Sequence, residues 1–142
     1  MIKKLIIAAI IFILGTIFGI LLTVKLVTTS PQVTPLLDTI VVDYPRPNQL
    51  VESPLLLKGR ARGTWFFEGS APVTLMDENG GELAQGFIQA SGDWMTEDFV
   101  DFNGEINFDP KGVSEGTLIL RNDNPSGMPE NELRLEIPVI FE

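Results

Sequence analysis

Two hydrophobic patterns divide this chain. Residues 5–24, LIIAAIIFILGTIFGILLTV, are apolar without a break: fourteen are Leu, Ile, Phe or Val, and none is charged or proline. Twenty residues at 1.5 Å each give a helix of about 30 Å, the thickness of a bilayer's hydrocarbon core. The pattern therefore predicts one N-terminal transmembrane α-helix, with residues 1–27 forming a cytoplasmic N-terminus and signal anchor. Beyond it, short runs alternate apolar and polar positions, the period of a strand with one buried face.

These runs predict about seven strands. Residues 39–43 (TIVVD) form the first, closed by Pro45 and Pro47. In 55–61, Leu55, Leu57, Gly59 and Ala61 share one face, and Leu56, Lys58 and Arg60 the other. Residues 73–76 lead into Asp77-Glu78-Asn79-Gly80-Gly81, a hairpin signal, and 83–90 return from it. Residues 102–108 and 118–121 alternate again. The last run, 133–141, puts Leu133, Leu135, Ile137, Val139 and Phe141 on one face. Pro138 has no N–H to donate, which places it at an edge or bulge. No amphipathic helix of useful length interrupts the series. The prediction is an all-β, immunoglobulin-like sandwich over residues 39–142, joined to the anchor by an extended, proline-containing tether, 28–38.

Charge sets the topology. Lys3 and Lys4 precede the apolar run, and after Lys25 the next basic residue is Arg46. The positive-inside rule then puts the N-terminus in the cytoplasm and the domain outside. The run is longer than the core of a secretory signal and lacks a small-x-small cleavage site after it, so an uncleaved anchor is expected. Gly15 and Gly19 form a GxxxG pair, the spacing of a helix-dimer face; glycine is also common in membrane helices, and a homodimer is the less favoured reading.

Composition removes several functions. All 19 acidic residues lie beyond the anchor but only seven of the ten basic ones, so the outer part carries a formal charge of −12. That argues against nucleic acid and against lying flat on anionic lipid. The chain has no histidine and no cysteine, which excludes Ser-His-Asp and Cys-His catalysis, thiol chemistry and histidine-based metal sites. No cofactor, no metal and no catalytic residue is expected, and the protein is not read as an enzyme.

Two aromatic segments stand out. Residues 63–69, GTWFFEG, place Trp65, Phe66 and Phe67 in a row between glycines. Extended neighbours point to opposite faces, so at least one of the three should leave the core. They serve either as a recognition patch or as a loop that folds over the sandwich end and plugs it. Residues 93–99, DWMTEDF, place Trp94 beside Asp93, Glu97 and Asp98. They form either a recognition site or a crossover with Trp94, Met95 and Phe99 buried and the acids solvated. The candidate partner-binding residues are Trp65, Phe66, Phe67 and Trp94, and the recognition reading strengthens if the two loops meet. Asp77, Glu78, Asn79 and Glu82, and the NDNPSG segment 122–127, are rich in oxygen ligands, but turns use the same residue types.

The segments GRARGTWFFEGSAPVTLMDENGGEL, GDWMTEDF and LILRNDNPSG, in this order, resemble the immunoglobulin-like domain of bacterial spore germination proteins, over about residues 39–141. The resemblance implies a β-sandwich in a bacterial envelope protein and carries no catalytic motif. The expected function is a membrane-anchored, extracytoplasmic, non-catalytic accessory or protein-interaction module of the cell envelope, with sporulation or germination suggested by the family. Its partner would be an envelope protein or a cell-wall component. The alternatives are a carbohydrate-binding module using Trp65 and Trp94, and a calcium-dependent adhesion module.

Overall fold

Leu55–Arg62 shows how the strands are placed. Leu55, Leu57, Gly59 and Ala61 are buried, while Leu56, Lys58 and Arg60 face solvent, as their alternation predicts. The computed structural model describes Leu36 and residues 38–142. The anchor, most of the tether and the Gly15/Gly19 pair lie outside the described residues. Among the described residues, no helix is long and apolar enough to cross a membrane.

Eight strands follow in order: β1 (Ile40–Tyr44), β2 (Gln49–Val51), β3 (Leu55–Arg62), β4 (Ser70–Asp77), β5 (Glu82–Ala90), β6 (Phe99–Ile106), β7 (Glu115–Arg121) and β8 (Arg134–Phe141). Two short 3-10 turns, Gly63–Trp65 and Pro129–Asn131, interrupt the loops. The seven predicted strands are present. The eighth, β2, lacks an alternating signature of its own. It has three residues and one buried side chain, Val51, and exists because it pairs in parallel with β8.

The hydrogen-bonded order is β1-β3-β6-β5-β4-β7-β8-β2, antiparallel throughout except for β2 and β8. Consecutive strands β1 and β2 sit at opposite ends of this order, so the sheet wraps round and one chain segment lines both edges. The turn of the wrap is β5, which pairs with β4 along most of its length and with β6 only over residues 88–90. Buried residues from all eight strands form one core, from Ile40 in β1 to Phe141 in β8. Strands β1, β3 and β6 lie on one side and β4, β7 and β8 on the other, with β5 passing between them, which is the two-layer arrangement of an immunoglobulin-like sandwich. Burial of this apolar surface is what stabilises a domain that has no disulfide.

Both strand prolines fall where a ladder is one-sided. The pairing of β2 with β8 starts at Val139, one residue past Pro138, and the Asn48 N–H donates to the Pro138 carbonyl at 2.7 Å. Pro72 likewise precedes the first β4–β7 pair, Val73 with Leu120. The ladder loses no bond at either place.

The registers also sort the loops into two poles. Residues 52–54, 78–81 and 107–114 lie at one. At the other lie Leu36, Asp38 and Thr39, where the chain enters the domain, and the connections 63–69, 91–98 and 122–133. The hairpin at the first pole forms as its residues predict. The Asp77 Oδ1 accepts from the N–H groups of Asn79 and Gly81 at 2.8 and 2.7 Å, and Gly80 takes a positive φ of 82°. Asp77→Ala should cost about 1 kcal/mol in urea denaturation, because two turn donors lose one acceptor in an exposed setting.

Candidate binding site at the loop pole

The first loop starts as a 3-10 turn. With three residues per turn, successive side chains rotate by about 120° instead of 180°. Trp65 and Phe66 can therefore both turn inward, and they are 0% and 4% exposed. The next residues close a tight reverse turn. Phe67 and Ser70 exchange backbone bonds of 3.1 Å in both directions, and Glu68 and Gly69 take φ of 52° and 78°. Two positive φ values in a two-residue turn match the right-handed twist of the flanking strands. Phe67 is left at the surface, 44% exposed.

The second loop packs on the first. The Gly63 N–H donates to the Asp98 carbonyl at 3.1 Å. A Cβ on Gly63 would collide with the carbonyl oxygens of Trp94 and Thr96, so only glycine allows this approach. The half-buried Trp94 lies over Gly69, its Cδ1 3.4 Å from where a Cβ would stand. Local bonds hold the loop's shape: the Met95 N–H donates to Asp93 Oδ1 at 3.1 Å, the Thr96 N–H to the Trp94 carbonyl at 2.8 Å, and the Asp98 N–H to Thr96 Oγ1 at 3.1 Å.

Arg62 ties three segments together. Its Nε donates to the Asp38 carbonyl at 3.0 Å, its Nη1 donates to the Glu97 carbonyl at 3.1 Å, and its guanidinium sits 4.5 Å from the Phe99 ring centroid. Arg62→Ala should leave the sandwich folded and loosen the 92–98 loop. The expected readout is amide exchange faster by about tenfold at residues 94–98, with residues 116–120 unchanged; equal protection in both proteins would remove Arg62 from this role. The third loop joins through the Asp123 N–H, which donates to the Trp65 carbonyl at 2.9 Å. Its asparagines serve as turn residues: Asn124 Nδ2 donates to the Met128 carbonyl, and Asn122 Oδ1 accepts from the Leu133 N–H.

The result is a shallow, open groove whose floor passes Gly63 and Phe66 and whose rim is Thr64, Trp94, Met95 and Glu97. The two aromatic loops do meet. Of the four residues expected to contact a partner, the structure puts Trp65 and Phe66 in the core. Their side chains are buried there, Phe66 beneath the groove, and Phe67 and Trp94 are left at the surface. Met95, which the crossover reading buried, is 77% exposed and is the most prominent apolar side chain of the pole. Phe99, buried in that reading, is 37% exposed beneath the guanidiniums of Arg60 and Arg62. Among the described residues, no group of three or more carboxylates is gathered as a metal site would require.

Both loops fall within a longer match. Residues 39–129, more than half the chain, match the immunoglobulin-like domain of bacterial spore germination. The chain belongs to this family. The match ends at Pro129, short of the resemblance read to residue 141, and β8, which completes this germination-type domain, lies beyond it. No curated protein and no solved structure matches the chain.

Proposed function

We propose that this protein is a membrane-anchored, extracytoplasmic immunoglobulin-like module that binds another envelope component through its loop pole and performs no catalysis. The observation that carries the reading is the meeting of the two aromatic loops around Gly63, which leaves Phe67, Trp94 and Met95 together at one end of the domain. Half-buried aromatics held on a rigid scaffold are the usual anchors of protein interfaces. The apolar run 5–24 supports the anchor, and the family supports a role connected with germination.

A carbohydrate platform needs flat aromatic faces open to the ligand. Trp65 does not offer one, so that alternative rests on Trp94 alone. The calcium-dependent alternative has less to draw on: the Asp77 carboxylate accepts two backbone N–H bonds of its own turn, and Asn122 and Asn124 are likewise engaged within theirs.

The test is recovery of a partner from native membranes with the full chain and with a Phe67→Ala/Trp94→Ala/Met95→Ala variant. The expected result is at least about a tenfold loss of the captured component, with folding checked by circular dichroism. Undiminished capture by a folded variant would move the binding face elsewhere. Carbonate extraction of the same membranes tests the anchor separately, since a spanning helix stays in the pellet.

A further inference from the structure

The chain enters the domain at the pole that carries the exposed apolar residues. Thr39 fixes Leu36 there through two bonds to its carbonyl, N–H at 2.9 Å and Oγ1 at 2.8 Å, and Arg62 holds the Asp38 carbonyl.

The pole is also one-sided in charge. Glu68, Asp93, Glu97 and Asp98 are exposed around Phe67, Trp94 and Met95. The arginines that flank these loops are engaged: Arg60 and Arg62 with Phe99, Arg121 with Glu132 and Arg134 with Glu136. A second copy of this chain would bring the same acidic rim against itself, and an anionic bilayer would be repelled as well. A cationic surface with an apolar centre suits it on both counts.

We infer that the loop pole docks a basic, apolar-centred segment of a partner protein, rather than lipid or a second copy of this chain. This rests on the proposed binding pole, and names the partner's chemistry.

The chain has no cysteine, so Met95→Cys and, at the far pole, Lys111→Cys each accept one environment-sensitive dye. The full chain is reconstituted in zwitterionic phosphatidylcholine nanodiscs. It is then titrated with a synthetic leucine-lysine peptide and its leucine-glutamate counterpart, with empty discs subtracted. The Met95-site dye should shift with the lysine peptide at a concentration about tenfold below the glutamate peptide, and the Lys111-site dye should stay still. Glu68→Lys/Glu97→Lys should raise the half-saturation for the lysine peptide about tenfold.

Equal responses at both poles, or no effect of charge reversal, would overturn the inference. So would a Met95-site dye already quenched by spin-labelled lipid before peptide is added, which would make lipid the occupant, or self-quenching between two chains in one disc. Failure of the chain to co-elute with discs would instead defeat the anchor. Retained capture by the triple alanine variant would defeat the binding pole.

Discussion

Trp65→Ala is expected to cost about 3–5 kcal/mol of domain stability, a large share of the 5–15 kcal/mol typical of a whole domain. Trp65 is the largest fully buried side chain, and its removal leaves a cavity under the loop pole. Its carbonyl also anchors the third loop through Asp123, so the cavity and the loops relax together. Trp65→Phe separates packing from hydrogen bonding. The indole Nε1 has no hydrogen-bond partner among the described residues, so the ring swap removes area without breaking a bond. It should cost about 1–2 kcal/mol, because it also relieves a buried donor left unpaired. Urea denaturation followed by circular dichroism measures both. A loss below about 1 kcal/mol for Trp65→Ala would mean that this side chain does not seal the core.

Gly63→Ala is expected to act on the site more than any other single methyl group. Its Cβ would meet two backbone carbonyls, those of Trp94 and Thr96, and neither can rotate aside as a side chain would. Either the 92–98 loop lifts off or the first loop is displaced. The expected cost is about 3 kcal/mol, at the upper end for an overpacked site. The decisive measurement is Trp94 fluorescence: a red shift toward the spectrum of a fully exposed indole, with the β-sheet circular dichroism retained below the unfolding transition. A variant with native stability and an unshifted spectrum would show that the two loops are not in contact.

The strands were legible because each carries its own signature. In Leu55–Arg62, burial follows the alternation residue by residue, and the Asp77 turn contains the residue types its hydrogen bonds need. The short β2 was not legible, because its conformation is imposed by β8 across the sheet. The candidate site was half legible. Three adjacent aromatics between glycines marked the right loop, and the two-face argument correctly required one of them to leave the core. It did not select Phe67, because the 3-10 turn at Gly63–Trp65 replaces the two-fold alternation by a three-fold one. Met95 passed for a core residue because an isolated methionine between a tryptophan and a threonine has no period to place it.

Alternation, turn chemistry, the apolar N-terminal run and the acidic balance are properties of neighbouring residues. They sufficed to establish an all-β domain behind an apolar N-terminal run, without histidine or thiol chemistry. Which loops meet, which aromatics are sealed inside and where the chain enters relative to them depend on pairings between distant segments, above all β3 with β6 and β4 with β7. Those pairings bring residues 38, 62, 67 and 94 to one pole. Their separation along the chain hides this, since a contact between remote residues leaves no periodic trace in either.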